Sequence, residues 1–527
     1  MVTLIRLYRS SALLFAGAAL AGLAAADSIY PVGNLGTDSD GFAHVELKFA
    51  HSGTAYGVSD VYTNFHNFRG TRGFVWDATN GIRSIGSTGF DGTTGSSYST
   101  VEAMDTTGRI YGSMQRYVGG VFKGYRAISY TPSGGIVQLG NLGTDASGYG
   151  QSAAVATDNA GRAFGNSTLY SGGVSKGSRA FVWSQATGIQ NVGDLGLDAT
   201  GFGASYMFGS NAPGHAFGRY NDYSSGSFKG ARGFVWDTVN GSQAIGTLGT
   251  DATGFSFSSV SVYDAAGQAY GDSNLYVGGV SKGSRAVRWD AVNGLRSLGD
   301  LGVDATGMGG GSVNYQSAAG RVFGTYMKYD GGQEKARYAF TYDAGGMRDL
   351  GNLGVNAQGY GETRVDIVDA HNRAYGISQK FVGGQSKGFH AFRWDNTNGL
   401  QDLGVLGTDA NGNGGSSVGA VDGFGRVYGS ATDFIGGQLA PRAFVWTATS
   451  GMTYLGNLVD PAVLSNWTLV SVKTVTDDGW VYGMGYRGTG NKEWYALHLP
   501  AQAVPEPATL AAMVIGGGAL LRRRKRA

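Results

Sequence analysis

A Lys-Gly-x-Arg tetrapeptide stands at four places 53 residues apart: Lys123/Arg126, Lys176/Arg179, Lys229/Arg232 and Lys282/Arg285. Arg69/Arg72, Lys335/Arg337 and Lys387/His390 are variants of it. Cations at a fixed interval suit a long polyanion, such as an acidic polysaccharide, held by many weak contacts. The same units carry aspartates in turns, at Asp38, Asp145, Asp198, Asp251, Asp304 and Asp409. Their near-equal number favours a second reading, a ring of ion pairs within each repeat, each of small worth on a surface.

Other patterns give way to simpler explanations. Asp38-Ser39-Asp40-Gly41 and its relatives lack the alternating acids and closing glutamate of a calcium loop, so turn chemistry accounts for them. Gly415-Ser416-Ser417-Val418-Gly419 has the spacing of a nucleophile elbow but falls in a strand. Gly483-Met484-Gly485-Tyr486-Arg487-Gly488 has dinucleotide-loop spacing with no helix after it. With 93 glycines, chance matches of this kind are expected. The seven histidines do not pair at ligand spacing, and there is no cysteine for a thiolate, a disulfide or a zinc site. No catalytic, cofactor or metal residue is assigned.

The elements that must position these residues are set by a repeat. An aromatic-Gly pair recurs nine times, from Tyr56-Gly57 and Tyr111-Gly112 through to Tyr428-Gly429 and Tyr482-Gly483, at 52 to 55 residues. A unit of that size cannot bury its own core and must stack on its neighbours. In the unit 145–197, turns at Asp145–Gly148, Asp158–Gly161, Ser171–Gly173 and Gly188 separate four segments. These are strand A (Gln151 to Ala156), strand B (Arg162 to Tyr170), strand C (ending Arg179 to Trp183) and strand D (Ile189 to Gly193). Strand C is apolar on both faces, as expected of a sheet packed between two others. The expectation is an all-β chain, a β-propeller of about nine four-stranded blades. The last unit lacks strand D, and Ser28 to Gly36 matches the missing strand. The N-terminal strand should therefore complete blade nine and close the ring. Strand A should then be innermost, its small residues (Ser152, Ser205, Ser258, Ser259, Ser312, Ser416, Ser417) facing a central channel.

The two ends read as addresses. Residues 1–26 have the basic start, apolar stretch and small residues of a secretory signal. Seven of the 40 basic residues sit at the ends, leaving 33 against 38 acids in 27–507. That balance gives no electrostatic motive for nucleic acid. After the propeller (27–500), a linker 501–507 holds Pro505-Glu506-Pro507, followed by a hydrophobic segment and basic tail, 508–527. The segment is expected to be a short helix, too short for a stable membrane span. This trio resembles the PEP-CTERM sorting signal. The resemblance implies transient residence in the inner membrane and removal of the tail by an exosortase-like enzyme. The units themselves are similar to the HAF repeat of bacterial extracellular proteins, through Arg179–Trp183, His390–Trp394, Arg442–Trp446 and the recurring Leu-Gly-x-Leu-Gly. Units two and six depart, with Tyr130 and Tyr342 in the tryptophan place. These resemblances imply export to the cell surface or extracellular matrix. The functional expectation is a non-enzymatic binding or structural protein, associated with exopolysaccharide. The alternative is a polysaccharide-degrading enzyme on a propeller scaffold.

Overall fold

The structure is a computed structural model and describes residues 27–499 other than 64–66, 224–225 and 331–332. Nine four-stranded antiparallel sheets follow one another along the chain. Blade three is the type case, with strands Ser152–Thr157, Ala163–Ser171, Val174–Ser184 and Gly188–Asn191. In blade nine the chain supplies Trp467–Val475, Trp480–Arg487 and Lys492–His498, and Ser28–Pro31 pairs with the last of these. Ser28 lies opposite His498 and Pro31 opposite Tyr495. Strand A of every blade touches strand A of both neighbours, including blade nine against blade one, so the ring is closed with A innermost. Closure leaves no long free sheet edge between first and last blades. Helix is limited among the described residues to Leu455–Leu458 and Pro461–Leu464, between blades eight and nine. The leader, the linker and the expected C-terminal helix lie outside the described residues.

The aromatic-Gly pair has a steric cause. Strand A carries a register shift opposite it in all nine blades, as at Ala154/Ala156 against Phe164-Gly165. The shift drives a strand A carbonyl onto the glycine. A Cβ on Gly165 would sit inside the van der Waals radius of the Ala153 oxygen, and the same holds at the other eight positions. Only glycine fits such a bulge without moving backbone.

Blades pack through alternating faces of strands B and C. Ala180, Phe181, Val182 and Trp183 are all buried, so both faces of strand C are core. Its tryptophan stacks on the central aromatic of the preceding blade. Trp236 meets Phe164 at 5.6 Å, Trp394 meets Phe323 at 5.8 Å, and Trp76 meets Tyr482 across the closure at 6.1 Å. All three are edge-on, the arrangement aromatic rings favour.

One expectation is corrected. Ser152, Ser205, Ser258 and Ser416 do not face a channel; they are buried between blades. Each donates to the glycine carbonyl that ends the preceding blade (Gly140, Gly193, Gly246, Gly404) at 2.6–2.8 Å. Each also accepts from a strand C amide of that blade. Ser259 and Ser312 are half-buried on the alternate face, and Ser417 is exposed.

Candidate functional site: the lysine face

The connections from B to C and from D to the next A lie on one face of the ring. There the sequence LGxLG leads into the Asp turn. Asp198 Oδ1 accepts from the Thr200 hydroxyl at 2.7 Å and from the amides of Thr200 and Phe202 at 2.8 and 2.9 Å. Asp145, Asp251 and Asp304 repeat this pattern, and Asp38 and Asp409 accept the two amides. In Asp145, Asp198, Asp251 and Asp304, the hydroxyl first and the amides with it hold the carboxyl below the usual range, with a smaller contribution from the ring lysine nearby. These are self-capped turns, as the sequence implied. Among the described residues no group of acids and histidines is arranged to hold a metal ion.

The lysines reach forward, not sideways. Lys123, Lys176, Lys229 and Lys282 donate through Nζ to the carbonyls of Ser147, Thr200, Thr253 and Thr306, in the turn that opens the next blade, at 2.6–2.9 Å. Lys335 and Lys387 do the same to Gln358 and Asn411 at 2.9 and 2.6 Å. Each contact uses one of three N–H donors and leaves a half-exposed ammonium on the face.

The arginines of the tetrapeptide are withdrawn from the surface. Arg126, Arg179 and Arg285 are buried. Arg179 donates to Gly203 and Gly201 carbonyls at 2.6 and 2.8 Å and pairs with Asp194 at 2.8 Å. Arg285 pairs with Asp300 at 2.6 Å and donates to Gly307 at 2.9 Å; Arg126 donates to Gly150. Arg232 pairs with Asp222 at 2.9 Å and is largely covered. The expected ion pairs within a repeat therefore exist for Arg179, Arg232 and Arg285, but their acids are not the turn aspartates. The lysines bind carbonyls of the following blade rather than the turn carboxylates, whose Oδ1 atoms are held by their own turns. The tetrapeptide is a latch between blades, and of its charges only the lysines remain presented.

Aromatic side chains complete the face, and sequence reading passed over them. The residue after this turn is aromatic in five blades (Phe42, Tyr149, Phe202, Phe255 and, after an Asn356 turn, Tyr360), but it is Met308 and Asn413 in two others. Phe42, Phe202 and Tyr360 are exposed. In blades two and four the residue before the lysine is a phenylalanine that packs on the next blade's turn aromatic, Phe122 on Tyr149 at 5.9 Å and Phe228 on Phe255 at 6.0 Å. Lys335 Nζ lies 5.6 Å from the centre of the Tyr360 ring. Over part of the ring, ammonium groups and aromatic rings therefore stand side by side on this face.

The fold places the chain among the closed β-propellers, here with nine blades. No family model and no curated protein matches the sequence. Solved structures similar to it include the β-propeller domain of the trilobed protease from Pyrococcus furiosus, at 8% identity and TM-score 0.34, covering 70% of this chain and 98% of that one. Porphyromonas gingivalis dipeptidyl peptidase 4 gives 9% identity and TM-score 0.41, covering 86% of this chain and 63% of the peptidase. The polysaccharide lyase Uly1 gives 13% identity and TM-score 0.27, covering 64% and 87%.

Proposed function

We propose that the protein is an exported, non-enzymatic propeller of the cell surface or extracellular matrix that binds an acidic exopolysaccharide across its lysine face. The observation that carries this is the array itself: six lysines at one repeat position, each anchored by one carbonyl, four of them at a turn that carries an aromatic residue. Anchoring lowers the entropy lost when an ammonium engages a ligand carboxylate. Aromatic rings offer flat apolar surface to sugar rings. Repetition at a fixed angular step matches a polymer, for which many weak contacts add. The leader and the Pro505-Glu506-Pro507 tail support export and an exosortase-like processing partner.

The test is binding of alginate, as a defined polyuronate, to the purified chain at low salt. Replacing Lys123, Lys176, Lys229 and Lys282 with glutamine should abolish the salt-sensitive binding while the fold is kept, read as an unchanged β-rich circular-dichroism spectrum. Binding that survives the change, or no binding by the parent, overturns the proposal. Depolymerisation of the alginate would replace it with the enzymatic alternative. For the tail, alanines at Pro505, Glu506 and Pro507 should leave uncleaved protein in the inner membrane. Surface-extracted parent protein still carrying Arg522–Ala527 would count against processing.

A further inference from the structure

Blade six breaks the repeat twice at one place. Six blades end strand C with tryptophan: Trp76, Trp183, Trp236, Trp289, Trp394 and Trp446. Blade six has Tyr342 there, against Tyr270 of blade five. A phenol fills less space than an indole, and a cavity of about 370 Å³ opens beside this pair. Tyr130 makes the same exchange in blade two, but there it joins an apolar cluster with Val75, Ile110 and Ile128.

The second break is in the turn after strand A. Blades three, seven and eight carry Asp and Arg four residues apart, and these pair within the turn: Arg162 with Asp158, Arg373 with Asp369, Arg426 with Asp422. Blade six has Ser317 in place of the aspartate. Its Arg321 reaches across to Asp343 at 2.9 Å, a carboxylate shared with Arg348 at 2.6 Å. Arg321 Nε and Nη1 are buried away from solvent, the guanidinium lying 5.7 Å from the centre of the Trp394 ring, and the side chain is 14% exposed at the cavity. Arg288 of blade five lines the same cavity, beside the Tyr270 hydroxyl. The carboxylates of the adjoining turns, Asp290 and Asp343, are held by Arg296 and by Arg321 with Arg348. Tyr270 donates to Gln268 Oε1 at 2.7 Å, and burial pushes its pKa up to about 12, so it stays a neutral phenol at physiological pH.

We infer that this cavity is a binding site for a small sugar carboxylate such as a hexuronate. Arg288, half-exposed at the cavity and outside the ion pairs named above, can bind a carboxylate through paired hydrogen bonds. The partly exposed Tyr342 ring gives flat surface to a sugar ring, and Gln268 offers an amide to its hydroxyls. The volume lies at the lower end of small-molecule sites, roughly 300–1,000 Å³. The cavity opens among the A–B and C–D turns, on the face opposite the lysines, so it is separate from the polysaccharide array.

The test is calorimetric titration of the full chain with D-glucuronate, D-glucose and acetate. Glucuronate should saturate one site, and glucose and acetate should bind at least about tenfold more weakly. Tyr342→Trp restores the residue used by six other blades, so it should keep the melting temperature and abolish glucuronate binding. Arg288→Gln should weaken binding at least about tenfold. The four-lysine variant should bind glucuronate as the parent does, which separates this site from the lysine face. No saturable binding, equal affinity for glucose or acetate, or full binding by Tyr342→Trp would overturn the assignment.

Discussion

The Ser205 hydroxyl donates to the Gly193 carbonyl at 2.8 Å across the boundary between blades three and four. The same oxygen accepts from the Ala180 amide at 3.0 Å, so one buried side chain satisfies two backbone groups of the preceding blade. Removing it strands the Ala180 amide in a dry interface, while the Gly193 carbonyl keeps only the Leu195 amide at 2.9 Å. Ser205→Ala should therefore cost about 1–3 kcal/mol, read as a lower urea midpoint with an unchanged slope. Ser152 and Ser416 make the same clamp in blades three and eight. Their alanine variants should add to within about 0.5 kcal/mol when combined, because no partner is shared.

Ser28–Pro31 should matter far more than its four residues suggest. Tyr30 lies 6.2 Å from both Trp76 and Trp480, and Val32 is buried just beyond the strand. Deleting residues 27–36 uncovers blade nine and the Trp76 face of blade one together. The expected cost is about 5 kcal/mol, the sum of a large and a medium side chain lost from the core. Calorimetry should show a lowered melting temperature, partly recovered by adding the 27–36 peptide. An unchanged melting temperature would mean that the ring does not depend on this closure.

Strand order, blade count and closure were legible because each leaves a local mark: an aromatic-Gly pair, a turn, a strand with two apolar faces. What stayed hidden depends on atoms that sequence does not distinguish. Ser152 and Ser205 look like small channel residues, yet their partners are a carbonyl 12 residues back and an amide 25 residues back, in another blade. Lys176 looks like a free cation or half an ion pair. Its partner is the Thr200 carbonyl, a group every residue has, so no side-chain pattern announces it. Tyr342 was visible as a departure from tryptophan, but the cavity beside it is walled by Arg288, Arg321 and Asn372 of three different blades, a convergence the sequence does not display.

Asp402 provides a pH test. Burial would push its carboxyl pKa up, but His390 Nδ1 at 2.9 Å, Lys380 Nζ at 2.6 Å and the Gly404 amide at 2.8 Å together hold it down to about 2. In the unfolded chain the value is about 3.9. A depressed folded value means the native state resists protonation, so this contribution is fully present above about pH 5 and lost as pH falls through about 2. Its size is about 1–2 kcal/mol after allowance for solvent screening, the side chain being 21% exposed. Asp402→Asn should lower the unfolding free energy at pH 7 and converge with the parent near pH 2. A constant gap across that range would show that the carboxylate's charge is not what stabilises blade seven.

Two glycines of blade three should respond differently to the same substitution. Gly172 has φ +58° at the tip of the B–C hairpin, with open space where a Cβ would go. Gly172→Ala meets only the left-handed backbone penalty, roughly 1–2 kcal/mol. Gly165 has no such conformation to protect. Its Cβ would collide with the Ala153 carbonyl and the Phe181 ring, and a carbonyl fixed in a bulge cannot swing aside as a side chain can. Gly165→Ala should cost about 3 kcal/mol, the upper end for overpacking, or prevent folding. Urea midpoints for the two variants should therefore rank Gly165→Ala well below Gly172→Ala. The reverse order would mean that the bulge in strand A yields easily, and that the nine aromatic-Gly pairs are kept for some reason other than close approach.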